Sequence, residues 1–129
     1  MKKIEAEAKI FLKERGWDKL RPSDLAKSIS IEAAELLELF QWSSLTIKQT
    51  KNDKDKLEHL KNELADVFLY AFYLSISLGL DTEKIILDKL AKVSAKYPPA
   101  IVKRQKGKQP GTEDFYVAIK KKHRVRDNR

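Results

Sequence analysis

Residues 22–42 read PSDLAKSISIEAAELLELFQW, and where the acids fall in that stretch decides the fold. Pro22 suits the first position of a helix, Ser23 or Asp24 can cap it, and the pattern carries on to about Trp42. At about 100° per residue, Leu25, Ile29, Leu36, Leu39 and Phe40 fall on one face. Glu32 lies inside that arc, between Leu39 and Leu36. Glu35 sits at its edge, flanked by Leu39 and Trp42, and Glu38 is one step further round toward the polar side. The three acids therefore fan across about a third of the helix circumference. A glutamate among leucines is costly unless it is neutralised or paired. Positions 28, 29, 31, 36 and 39 are Ser, Ile, Ile, Leu and Leu, so this helix supplies no counter-charge.

A second helix, from about Lys56 to Leu78, repeats the anomaly. From Val67 to Leu78 it is apolar on nearly all sides, the pattern of a buried helix. Its one polar stripe runs His59, Glu63, Asp66, Tyr70, Tyr73 and Ser77, and the nearby Lys61 points elsewhere. If the two stripes face each other, four or five carboxylates converge. They would repel and hold protons at neutral pH unless cations sit between them. Oxygen-only ligands favour Mg²⁺, with Mn²⁺ able to take its place.

The rest of the chain frames these two helices. Lys2 to Arg15 forms a helix ended by Gly16, and Lys48 to Asp55 is a polar loop or helix entry. A last helix opens at Asp81 or Thr82 and stops near Lys96, because Pro98 and Pro99 cannot continue it. The expectation is an all-α protein, a four-helix bundle. The 129 residues suit one domain, drawn here as residues 1–102. Of the net charge of +8, residues 103–129 carry ten bases against three acids, which leaves the first 102 residues at +1. That basic tail is read as partly disordered, with Gln105 to Thr112 as a linker and residues 115–119 as a short strand.

Composition closes off several chemistries. There is no cysteine and only His59 and His123, which excludes thiolate sites and nucleophiles and disfavours a histidine-built zinc centre. The N-terminus interleaves acids and bases with no apolar core, unlike a signal peptide. The longest uncharged run, Val67 to Leu80, has 14 residues, short of the roughly 18 that cross a bilayer. A soluble, cytoplasmic protein with no membrane partner is expected.

Glu32-x-x-Glu35-x-x-Glu38 followed by Glu63-x-x-Asp66 resembles the signature of the all-α nucleoside triphosphate pyrophosphohydrolases, the MazG-like enzymes. The runs EAAELLELFQW (Glu32 to Trp42) and NELADVFLYAFYL (Asn62 to Leu74) are especially similar to the dCTP pyrophosphatase branch. The similarity spans about residues 10–98. It implies a MazG-like bundle that forms homodimers or homotetramers and cleaves a nucleoside triphosphate, such as dCTP or a modified dCTP, to monophosphate and pyrophosphate with Mg²⁺. Carried over position by position, Glu32, Glu35, Glu63 and Asp66 would be the metal ligands. Glu38 would bind through water or position the attacking water, and could take its proton. Trp17, Trp42 and Tyr70 match positions lining the base pocket, and Lys89 and Lys96 match positions contacting phosphate. Asp24 and Val93 stand where the family usually has Asn, which bears on base recognition and phosphate contacts. The contrasting expectation is a non-enzymatic helical module that binds nucleic acid through its basic tail.

Overall fold

The computed structural model describes residues 1–100. The expected strand, linker, basic tail and the boundary at residue 102 lie outside the described residues. Five α-helices are present: α1 (Lys2–Glu14), α2 (Pro22–Glu38), α3 (Ile47–Asn52), α4 (Lys54–Ser77) and α5 (Thr82–Lys96), with a 3-10 turn at Trp17–Lys19. By packing the chain divides after Leu87. The first unit, Met1–Leu87, holds α1 to α4 and the start of α5. The described part of the second unit carries the remainder of α5, with Lys89 and Lys96.

Four long helices fall where the periodicity puts them, with three departures. First, α2 stops at Glu38 rather than near Trp42, because two tight turns (Phe40 N–H to the Leu37 carbonyl at 2.9 Å, Ser43 N–H to the Phe40 carbonyl at 3.2 Å) turn the chain aside. Second, neither Ser23 nor Asp24 caps it. Arg21 is the N-cap with no side-chain bond, and Pro22, which has no N–H to satisfy, takes the first turn. Third, part of the expected polar loop is the short helix α3. Thr46 accepts from the Gln49 N–H at 3.2 Å while Gln49 Oε1 accepts from the Thr46 N–H at 2.9 Å, a reciprocal capping box. Asp53 then caps α4 through the Lys56 N–H, and Asp81 caps α5 through the Lys84 N–H. Gly16 and Gly79 take the left-handed conformations (φ 64° and 67°) that follow α1 and α4.

The core of the first unit is formed where α2 and α1 pack on α4. Leu12 and Leu25, each 1% exposed, are its two fully buried side chains, joined by Ala8 and Tyr73. Burying a leucine is worth about 1.5–3 kcal/mol, so these two anchor α1 and α2 to α4. The expected inward face of α2 is present: Leu25 is buried and Ile29, Leu36, Leu39 and Phe40 are half-buried. Off that face Ile31 and Leu37 are exposed. The expectation of a buried helix over Val67 to Leu78 needs correcting. Within one chain Tyr73 and Ser75 are buried, but Ala71 is exposed and Phe68 is 56% exposed, because three neighbours do not encircle α4.

Candidate metal and nucleotide site

Helices α2 and α4 run antiparallel, as three cross-helix approaches show. Glu32 meets Glu63 and Asp66, Glu35 meets Glu63, and the Leu39 carbonyl meets Lys56. Since side chains three and four apart share a helix face, this register turns the two acidic stripes toward each other. One carboxylate oxygen from each of Glu32, Glu63 and Asp66 lies within 4.8 Å of the other two, and all three residues are half-buried. Glu35 and Glu38 are exposed, so burial falls off round α2 in the order the helical wheel predicts.

The electrostatics record the crowding. Partial burial raises the Glu32 pKa above the ordinary 4.5, and the negative charges of Glu35, Asp66 and Glu63 push it further. Glu63 is raised likewise, by desolvation first, then by the charge of Glu35 and a hydrogen bond with it, then by Asp66, against a small opposing pull from His59. Crowding thus raises the proton affinity of Glu32 and Glu63, and a divalent cation would compete with protons for them. The nearby lysines are engaged elsewhere: Lys61 pairs with Glu58, and Lys27 lies 3.7 Å from Asp24.

Two concavities flank the acids along α4. On the side of its C-terminus, a cavity of about 410 Å³ is lined by Ile4, Glu7, Ala8, Phe11, Trp17, Asp66, Leu69, Tyr70 and Tyr73. Its walls are a chain of ring contacts. Trp17 meets Phe11 edge-on (5.8 Å), Phe11 stacks parallel to Tyr73 (6.0 Å, 4°), and Tyr70 meets Tyr73 edge-on (5.8 Å). The Arg15 guanidinium lies 3.7 Å from the Phe11 ring centroid. Burial, together with Tyr70, raises the Tyr73 pKa, so this phenol stays neutral. On the other side, a polar cleft is lined by Glu35, Glu38, Leu39, Gln41, His59 and Glu63. Asp66 borders the aromatic cavity and Glu63 borders the cleft, so the acidic group stands between them.

Among the expected site residues, the structure brings together Glu32, Glu35, Glu63 and Asp66. It places Trp17 and Tyr70 in one cavity and Glu38 on the adjoining cleft. Trp42 is 90% exposed on the turn beyond α2 and lines neither concavity. Its expected alignment above Glu35 assumed a helix that ends four residues earlier. Lys89 and Lys96 lie in the second unit on α5. Sequence reasoning missed Phe11 and Gln41, and it gave no site role to His59, which is exposed and lines the cleft. Nothing local marked either Phe11 or Gln41.

The pattern of the MazG-like family matches residues 27–109. Over 91 residues the chain is 32% identical to dCTP pyrophosphatase 1 of Mus musculus and 31% identical to that of Rattus norvegicus. In each case this is 68% of the chain and 53% of the relative, so the chain spans about half the length of these curated relatives. The crystal structure of a pyrophosphatase from Archaeoglobus fulgidus superposes with a TM-score of 0.67 at 33% identity, covering 76% of this chain and 92% of that one. No single helix among the described residues is long and apolar enough to cross a membrane. The family pattern covers α2 from Lys27 onward, all of α4 and every acid of the cluster, and on that agreement of sequence and geometry the chain belongs to the MazG-like family.

Proposed function

We propose that the protein is a Mg²⁺-dependent nucleoside triphosphate pyrophosphohydrolase that releases nucleoside monophosphate and pyrophosphate. The observation that carries this reading is the convergence of Glu32, Glu63 and Asp66, with Glu35 beside Glu63, between an aromatic cavity and a polar cleft. The donor set fits a hard divalent cation. It is all carboxylate oxygen, closely spaced, proton-hungry without a metal, and without a lysine to neutralise it. Glu32, Glu35, Glu63 and Asp66 would hold Mg²⁺, or Mn²⁺ in its place. When bound, the ion would offset the triphosphate's charge and polarise the α-phosphoryl group.

The two concavities orient the substrate. A nucleobase suits the cavity of Trp17, Phe11, Tyr70 and Tyr73, where stacking is worth about 1–3 kcal/mol. With the α-phosphoryl group at the acids, the leaving pyrophosphate points into the cleft, where His59 and Gln41 are the lining side chains able to donate hydrogen bonds. Glu38 lines the same cleft as the leaving group, opposite the face from which water attacks in line, so it suits a further metal ligand reached through water. By family resemblance the exposed indole of Trp42 would offer a further stacking face. dCTP is the first substrate to try, since the curated relatives carry its name.

Self-association accompanies this reading. Ile31, Leu37 and Phe68 are more than half exposed on α2 and α4, an apolar surface that a second copy would cover in a homodimer or homotetramer. The deciding experiment is product analysis over a panel of triphosphates with and without Mg²⁺. Monophosphate and pyrophosphate are expected, and Glu35→Gln or Asp66→Asn should remove turnover without changing helical content. Orthophosphate as the first product would overturn the assignment.

A further inference from the structure

The end of α2 carries no cation of its own, and a lysine from another helix supplies one. The last turn of α2 has no basic residue, although the final carbonyls of a helix lack intrahelical partners and form the negative end of its dipole. Lys56, in the first turn of α4 and seventeen residues further along the chain, places Nζ 2.8 Å from the Leu39 carbonyl. The same ammonium lies 3.5 Å from Ser43 Oγ and 5.4 Å from the Phe40 ring centroid. It is partly buried, so both bonds are shielded from competing water.

Each of these anchors adjoins a residue singled out for the site. Leu39 directly follows Glu38, and Ser43 directly follows Trp42. Among the described residues the Glu38 side chain has no hydrogen-bond or ion-pair partner, so its place on the cleft is set through its backbone. We propose that Lys56 is a positioning residue, which acts through the Leu39 carbonyl and the Ser43 hydroxyl to hold Glu38 at the cleft and the Trp42 turn against α4. This rests on the hydrolytic reading for its consequence in turnover, though not for the tie itself.

The test compares Lys56→Met, which keeps the length and loses the donors, with Lys56→Arg, which restores charge and donors, in the full chain. Because an ångström of misplacement can cost about 10²-fold, Lys56→Met should lower kcat about 10- to 100-fold and leave the nucleotide KM within about twofold. Lys56→Arg should recover most of the loss, and in a Glu38→Gln background Lys56→Met should add less than about twofold. Steady-state anisotropy of Trp42, read with Trp17→Phe so that one indole remains, should fall with Lys56→Met and return with Lys56→Arg. If Lys56→Met does not fold, Lys56→Gln takes its place in every comparison. A lower melting temperature with unchanged kcat, an equal loss in the Glu38→Gln background, or unchanged anisotropy each overturns the inference. A wild-type chain with no hydrolysis sinks the underlying enzymatic reading instead, while the anisotropy still reports on the tie.

Discussion

If the acidic group holds the scissile bond, the two ends of the substrate should respond to different substitutions. His59 and Asp66 are seven residues apart on α4, about 10 Å at 1.5 Å per residue, and Asp66 and Tyr73 are separated by the same distance in the other direction. A base and a pyrophosphate on either side of the acids therefore touch separate residues. Removing a hydrogen bond to a charged group costs about 1.5–3 kcal/mol, which is about 10- to 150-fold in an equilibrium constant. Removing a stacking ring costs about 1–3 kcal/mol per base, about 5- to 150-fold. The assay is product inhibition at saturating Mg²⁺, with pyrophosphate and the matching nucleoside monophosphate as separate inhibitors. His59→Ala should weaken inhibition by pyrophosphate and leave the monophosphate constant near wild type, and Trp17→Ala should do the reverse. A crossed pattern, with Trp17→Ala weakening pyrophosphate and His59→Ala weakening the monophosphate, would refute the orientation while leaving the metal site standing.

Further outcomes follow from the charge and packing of the same helices. Glu32 and Glu63 bind protons more tightly folded than unfolded. In EDTA the folded state is thus unpenalised below pH 4.5 and loses stability as pH rises through and above that value. Added Mg²⁺ should reverse the loss near pH 7, because ligands bind it deprotonated. An EDTA melting profile identical to that of Glu32→Gln/Glu63→Gln across this window would count against the reasoning. Light scattering at micromolar concentration should give a dimer or tetramer, with Phe68→Lys shifting it toward the monomer, and a wild-type monomer would contradict that. Leu25→Ala, at 1% exposure, should cost about 2–5 kcal/mol in urea unfolding. A loss under about 1 kcal/mol would mean that the contact of α2 with α4 is not where the stability lies.

The parts of the molecule that follow one helix at a time are legible in its sequence. Leu25, Ile29, Leu36 and Leu39 face inward because a period of 3.6 leaves them no other arrangement, and the half-burial of Glu32 beside exposed Glu35 and Glu38 comes from the same rotation. Where local hydrogen bonding competes with periodicity, the pattern misleads. Nothing in LELFQW warns that the chain leaves α2 after Glu38 for two tight turns, and so Trp42 swings away from the azimuth a continuing helix would give it. The capping box of Thr46 and Gln49 was visible as T-x-x-Q, but it sat in a polar run with too few apolar residues to suggest a helix.

What no single helix can reveal is register, and in this fold register carries the chemistry. Sliding α4 by one turn along α2 would keep every hydrophobic stripe inward and every acid on its own face. Glu35 would nevertheless lose Glu63, and the Leu39 carbonyl would lose Lys56. The buried contacts are too uniform to choose between such registers, since Leu and Ile interchange at little cost. Mutual repulsion of the acids opposes the observed register when no cation is present. Opposing that repulsion is a side chain with a specific partner, the ammonium of Lys56 on the carbonyl that follows α2. The tie holds the two acidic stripes in register, so a divalent ion meets ligands that have already been brought within reach of each other. That arrangement lowers the ordering cost of binding the ion, as preorganisation does generally, at the expense of a metal-free state whose crowded carboxyls cost stability as pH rises.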